Sequence, residues 1–362
     1  SIYISLELTT LPLIALSAFL RDERSSESGI KFFLLGAISS ALLLYGVVLV
    51  YGFTGSTHLH EISHVVTDGD IHFGSFAVLA GITLIVAGFG FKISMVPFHM
   101  WVPDVYEGSP TPVTAYLSVA SKAAGFAVLL RVFYVAFGSV SLDWGVLFSI
   151  LSALSMTIGN LLAIAQNNIK RLMGYSTIAH AGYIMIGLAA VAQKAPGQEA
   201  IILGPSGILF YLVGYAATNL AAFFAIMAIT NKMQSDDIDA FAGMARNAPV
   251  ITAVLAFSMV SLIGIPPTVG FMGKLYLFNA AVSSDMVWLA IVGVINSVVS
   301  AYYYLRVIRV MYMDHTQEGL LITSSVPVRL GLMATTAGIL GLGLFPGPIM
   351  EVSEMAVKGI FQ

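Results

Sequence analysis

The sequence predicts an all-α polytopic membrane protein, and three observations carry that reading. Only 10% of the 362 residues are charged against 58% hydrophobic, and the mean hydropathy is +0.90. An ordinary soluble chain is about a quarter charged. Apolar stretches recur along the whole chain at the length a bilayer demands, roughly 20 helical residues for a hydrocarbon core of about 30 Å. Two of those stretches are interrupted by proline and glycine. Net charge is −3 with no cysteine, so no basic surface invites nucleic acid, and disulfides, cysteine-ligated iron–sulfur clusters and thiolate catalysis are excluded from this chain.

About ten spans follow in order. The first, near 1–20, holds Glu7 in YISLELTTLP, with no further charge before Arg21. The sequence starts inside this apolar run with no basic n-region or cleavage site, which suggests that helical sequence precedes it. Spans near 30–53 and 74–100 come next, the latter carrying Lys92 and then Pro97. The span near 112–137 holds Lys122 about ten residues in, roughly 15 Å from the nearer interface, and Arg131 close to its far end. Spans near 142–165, 170–191 with His180, and 203–230 precede the one near 250–281, where Gly264, Pro266, Pro267 and Gly270 stand before Lys274. The last two lie near 286–312 and 328–346.

Alternate connections then fall on opposite sides of the membrane. One set holds Arg21, Arg24, Lys31, Lys170, Arg171, Lys232, Arg246, Arg306, Arg309 and Arg329, the other only Lys194 and Lys358. The positive-inside rule puts the first set at the cytoplasm or its organellar equivalent.

Lys92, Lys122, Arg131 and Lys274 remain inside spans. A charge at mid-bilayer costs about 3 kcal/mol on insertion scales, so such residues usually face a polar interior and mark an ion path. The competing account is a long side chain reaching for the interface. It suffices for Arg131, it is open to Lys92 and Lys274, and Lys122 is too deep for it. Glu7 and His180 are also at mid-depth. A buried glutamate is neutral or paired with a cation, while His180 is as readily a hydrogen-bonded core residue as a proton carrier.

The breakers add a second argument. Proline removes a backbone hydrogen bond and kinks the helix, which lipid tolerates where the freed backbone lines a cavity or is buried in protein. Glu7 lies two spans before broken-span Lys92, and His180 two spans before broken-span Lys274. Corresponding spans are an odd number apart, so the second unit would be inverted relative to the first, the arrangement of inverted-repeat transporters. The expected division is 1–139 for a first repeat lacking its first helix, 140–313 for a second, and 314–362 for a C-terminal transmembrane helix and tail.

One motif points elsewhere. His60, Glu61, Ile62, Ser63 and His64 spell the H-E-x-x-H metalloprotease pattern, with His58, Asp68, Asp70 and His72 nearby. That pattern needs a helix to put both histidines on one face. Here it is expected in a short solvated loop, so no metal centre is assigned. Gly88 and Gly90 in AGFGFK follow no strand and lack the third glycine of a dinucleotide loop, so helix packing accounts for them.

The stretches GFGFKISMVPFHMWVPDVYEGSPTPVTAYLSVASKAAGFAVLLR, QNNIKRLMGYSTIAHAGYIMIG and GIPPTVGFMGKLYLF resemble the N-subunit family of respiratory complex I, the NADH-quinone oxidoreductase. The resemblance spans almost the whole chain. It implies two inverted five-helix repeats with flanking helices and a proton-translocating, antiporter-like role. It further implies that Glu7, Lys92, Lys122 and Lys274 are the family's membrane-embedded charged residues, with His180 and His99 near the same polar axis. No cofactor is implied within this chain; NADH, FMN, iron–sulfur clusters and quinone belong to partner membrane and peripheral subunits, in an inner (cytoplasmic) membrane. Subunits of multisubunit cation/proton antiporters and membrane-bound hydrogenases share the pattern of lysines and are the nearest alternatives; a membrane metalloprotease is a remote one.

Overall fold

A computed structural model describes residues 1–68, 76–190, 200–314 and 324–360. Asp70, His72 and Lys194 lie outside the described residues. The described residues form helices and no strand, with one isolated bridge between Asn168 and Asp237. In chain order the helices are α1 (Ile2–Ser17), α2 (Glu23–Thr54), α3 (Leu59–Asp68), α4 (Phe76–Ile93), α5 (Trp101–Gly108) and α6 (Thr111–Tyr116). A π-helical turn, Leu117–Ser121, leads into α7 (Lys122–Ala136), followed by α8 (Ser141–Ile164), α9 (Ile169–Ala189), α10 (Ala200–Met233) and α11 (Met244–Asn247). The chain closes with α12 (Pro249–Ile263), α13 (Val269–Ser283), α14 (Val287–Met313), α15 (Val326–Leu344) and α16 (Gly347–Ile360).

Every expected span corresponds to one of these helices or helix pairs, and seven among the described residues are long and apolar enough to cross a bilayer. The two spans bearing breakers are each split. α4 and α5 are separated by residues 94–100, and α12 and α13 by residues 264–268. Two departures stand out. The H-E-x-x-H segment is not a loop: it forms α3, because its apolar residues recur at helical spacing and bury Ile62 and Val66 while His60, Glu61 and His64 face outward. The tail after the last span also folds, as α16, which sets Met350 and Val357 into the bundle.

α9 is the hub, buried at every residue except Arg171 and Tyr175. Glycines let α8 approach it backbone to backbone: a Cβ on Gly182 would stand 2.6 Å from the Met156 nitrogen, and one on Gly159 2.7 Å from the Ala179 nitrogen. Without a hydrophobic drive between helices in lipid, such close van der Waals contact is a main source of association. Around the hub, α2 and α14 turn apolar rows outward, among them Ile30, Phe33, Leu34 and Ile38, and Ile291, Val294, Val298 and Tyr302. That is the outside-in polarity of a bundle solvated by lipid.

One end of the bundle gathers the basic residues. Lys31 on α2 and Arg171 on α9 both bind Asp104 on α5, at 2.7 and 2.6 Å, and Arg171 also meets Glu107 at 3.0 Å. Lys170 pairs with Asp236 at 2.9 Å. These contacts pin three helices at the face that the charge asymmetry assigns to the inner side.

Candidate functional site

The sequence places three lysines in spans, and the fold buries all three: Lys92 is 8% exposed, Lys122 1% and Lys274 4%. Lys92 is next to last in α4, directly before the break. Its ammonium lies 3.7 Å from the Glu7 carboxylate on α1 and donates to the Thr10 hydroxyl one turn away. Ser40 on α2 donates to the same carboxylate at 2.6 Å. The expected Glu7–Lys92 pair is therefore present, and Thr10 and Ser40 complete it. Freed backbone at this break is taken up by protein, with the Phe91 carbonyl accepting from the Trp101 indole at 3.0 Å and the Val96 N–H donating to Ser155 at 3.0 Å.

Lys122 follows the π turn, and its Nζ donates to the Thr177 carbonyl of α9 at 2.5 Å, 5.6 Å from the centre of the Tyr215 ring. Among the described residues no carboxylate pairs with it. A π turn inserts one residue into a helix and is common at functional sites; here it sets the direction in which Lys122 leaves α7.

Lys274, on α13, reaches back across the second break. It donates to the carbonyls of Leu262 at 3.1 Å and Ile263 at 2.9 Å, the last two residues of α12, and to Ser297 of α14 at 3.1 Å. A helix C-terminus carries unpaired carbonyls and partial negative charge, which favours a cation there. Gly264 makes this possible with a φ of +91°, and a Cβ there would press 3.0 Å from the lysine Cδ. The Tyr183 ring lies 4.3 Å from Nζ.

His180 occupies the middle of α9. Its Nδ1 is 2.6 Å from the Tyr211 hydroxyl and its Nε2 3.3 Å from that of Tyr304. Tyr215 hydrogen-bonds Thr177 at 2.8 Å and packs 5.2 Å from the imidazole; Tyr183 packs 5.6 Å away and receives a hydrogen bond from Ser297 at 3.3 Å. Lys122, His180 and Lys274 are thus joined by hydrogen bonds and ring contacts through Thr177, Tyr215, Tyr183 and Ser297. A cavity of about 10 Å³ beside His180, Tyr211, Thr218 and Ser261 has room for one water.

Other expected residues fall differently. Lys92 and Lys122 share no hydrogen-bond partner among the described residues, although Gly125 on α7 brings the two helices together beside the Lys92 backbone. His99 lies in the first break, half-buried, with its Nδ1 enclosed and without a hydrogen-bond partner. Pro97 and Pro267 each follow a cis peptide bond in the breaks, and Pro266 precedes the second. Arg131 is exposed and borders an outer cavity shared with His58 and His60. Glu61 is held by Ser56, and no set of three potential metal ligands occurs among the described residues.

The tyrosines were not singled out from the sequence. Their signal was polar residues at helical spacing inside an apolar span, Tyr211, Tyr215 and Asn219 on α10 and Ser176, His180 and Tyr183 on α9, which marks a buried polar stripe.

A helix bundle broken twice beside buried cations defines an ion-translocating membrane subunit. The chain belongs to the family of transmembrane subunits described as NADH:quinone oxidoreductase/Mrp antiporter, whose model matches residues 1–300. It is 43% identical over 367 residues to the NADH-quinone oxidoreductase subunit N of Dehalococcoides mccartyi, covering 99% of this chain and 74% of that one. It superposes on a chain of respiratory complex I from Thermus thermophilus, solved with bound aureothin, with a TM-score of 0.80 at 34% identity, covering 96% of this chain and 74% of the other. A chain of the Mrp complex from Dietzia sp. DQ12-45-1b shares the fold, with a TM-score of 0.85 at 21% identity over 99% of this chain and 73% of the other. The protein is a multi-pass membrane protein of this family.

Proposed function

We propose that this chain is the antiporter-like subunit N of a respiratory NADH:quinone oxidoreductase and moves protons through Glu7, Lys92, Lys122, His180 and Lys274. The observation that carries the reading is that the buried lysine at each helix break is paired with a structure able to respond to its charge. Lys92 has a carboxylate at 3.7 Å, and Lys274 has the carbonyl end of a half-helix. Low dielectric disfavours an ammonium, and a nearby carboxylate favours it, so a change in the Glu7–Lys92 separation would switch Lys92 between holding and releasing its proton. The pair would titrate as a unit.

From Lys122 to Lys274 the residues already touch. Passage from Lys92 to Lys122 needs bridging water. Moving one charge against 100 mV costs about 2.3 kcal/mol, so the path runs uphill only with an energy source; quinone reduction in partner subunits would supply it, with the NADH, flavin and iron–sulfur chemistry housed there and none in this chain. Residues 1–139 and 140–313 would be the two inverted repeats, and 314–362 the flanking C-terminal part. The partners would be the other membrane and peripheral subunits, neighbouring antiporter-like chains included, in the cell's inner membrane. Identity of 43% with a subunit N, against likeness of fold alone with the Mrp chain, favours this reading over a cation/proton antiporter subunit.

The test is proton uptake by inverted vesicles carrying the assembled complex, measured against quinone reduction. Lys92→Ala and Lys274→Ala should each lower the protons moved per quinone. Unaltered ratios in both variants would remove the relay.

A further inference from the structure

Two asparagines lie buried between α8 and α14, and the relay uses neither. Asn160 on α8 is fully buried and Asn296 on α14 is 5% exposed. The Asn160 Nδ2 donates to the main-chain carbonyl of Asn296 at 3.1 Å and to its Oδ1 at 3.2 Å. Asn296 returns the contact by donating to Thr157 of α8 at 3.2 Å. These bonds fix where α14 stands against α8 at the residue just before Ser297, whose hydroxyl takes the Lys274 ammonium at 3.1 Å.

A clasp between two helices needs only the amide nitrogen, and the oxygen of Asn160 is turned elsewhere. Its Oδ1 accepts from the Tyr303 hydroxyl at 2.9 Å, and the same side chain is a hydrogen-bonding neighbour of the Tyr183 hydroxyl. An amide oxygen has two lone pairs and an amide nitrogen two hydrogens, so these contacts use the group completely. Tyr183 also receives a hydrogen bond from Ser297 at 3.3 Å, and its ring lies 4.3 Å from the Lys274 Nζ. Ser297 divides its one hydrogen between Tyr183 and the Gly293 carbonyl at 3.0 Å. The Tyr183 hydrogen therefore has two acceptors within reach, Ser297 and Asn160, and the amide oxygen can never donate back.

We propose that Asn160 is a positioning residue for Lys274: its oxygen holds the Tyr183 hydrogen away from Ser297 while the lysine is charged, keeping the serine oxygen open to the ammonium, and yields that hydrogen to Ser297 when the lysine is neutral. This rests on the proton-carrying reading above. Asn160 acts through Tyr183 and through the placement of α14, so its loss disturbs the lysine without removing any group that carries the proton.

The test uses the assembled complex in inverted vesicles, with assembly verified on native gels. Asn160→Leu, close in size and without an acceptor, should lower the protons moved per quinone. Asn160→Asp, which keeps an oxygen at the Oδ1 position, should recover part of that loss. Where Asn160→Leu does not assemble, Asn160→Ser withdraws the oxygen from Tyr183 with a smaller side chain and takes its place. The direct readout is the infrared difference spectrum between resting complex and complex turning over, with ring-13C tyrosine. The tyrosine C–O stretch responds to whether the hydroxyl donates or accepts, so wild type should show a band that is absent from both Tyr183→Phe and Asn160→Leu. A wild-type spectrum with no Tyr183 band, or a band that persists in Asn160→Leu, would overturn the proposal. So would a ratio in Asn160→Asp no higher than in Asn160→Leu. A wild-type ratio in Asn160→Leu, where Lys274→Ala does lower it, would refute the role of Asn160 and leave the relay standing. Wild-type ratios in both would refute the relay itself.

Discussion

The ammonium of Lys92 lies beside a carboxylate, while those of Lys122 and Lys274 are held by neutral oxygens and ring faces. That difference separates charge from proton transfer. Arginine carries the same charge, offers more donors and does not give up its proton in proteins. Lys274→Arg should therefore assemble and retain charge at the second break yet lose proton transfer, measured as protons moved per quinone; a variant that pumps normally would show that Lys274 serves only as a fixed charge. Glu7→Gln removes the carboxylate beside Lys92 and keeps Thr10 and Ser40 in place. Stranding one partner of a largely buried pair costs about 3–5 kcal/mol, so this variant should lower both the thermal midpoint in detergent and the proton ratio. The lysines and Glu7 were legible in the sequence because charge is rare in lipid. Thr10, Ser40 and Ser297 were not, since a hydroxyl in a membrane helix can satisfy itself on the carbonyl four residues back, as Thr335 does on Gly331.

At the level of the element, both breaks could be read from proline and glycine, but how each is used could not. The first is closed by Trp101 and Ser155, the second is left to Lys274. Gly264 sits at φ +91° against the lysine stem. Alanine there must take a conformation costing about 1–3 kcal/mol, so Gly264→Ala should lower the unfolding midpoint and weaken proton transfer together. The π turn Leu117–Ser121 has no proline or glycine to announce it, because an extra residue in a helix changes no local propensity. The α3 helix was missed for the converse reason, as its Thr, Gly and Asp surroundings mask ten residues with a strong apolar face.

For the whole molecule, the basic end is a clamp centred on Asp104. Burial acts to raise that carboxyl, and hydrogen bonds and charge from Lys31 and Arg171 outweigh it, leaving it below its ordinary value of 3.8. A carboxyl lowered by folding adds stability that is present above its unfolded value and lost as pH falls through the folded one. Thermal midpoints in detergent should therefore fall more steeply in wild type than in Asp104→Asn as pH drops from 7 to below the ordinary carboxylate range, and parallel curves would show that the clamp adds nothing. Composition fixed the lipid-facing class, and the asymmetry of lysine and arginine picked out the end where the clamp lies. Which helices it joins depends on chain packing that no span-by-span reading contains.

At the second break, three oxygens meet three N–H bonds. The ammonium of Lys274 fills the Leu262 and Ile263 carbonyls and the Ser297 hydroxyl with nothing left over. Once the proton departs, the amine has two N–H bonds and a lone pair, and one oxygen must face that lone pair. Of the three only the Ser297 hydroxyl can reverse, giving up its bond to the Gly293 carbonyl or to Tyr183 and pointing its hydrogen at the nitrogen. In the proposed relay each discharge would be recorded as the half-turn of one serine rotor, which would carry the news of an empty lysine to α14 and to the ring beneath it.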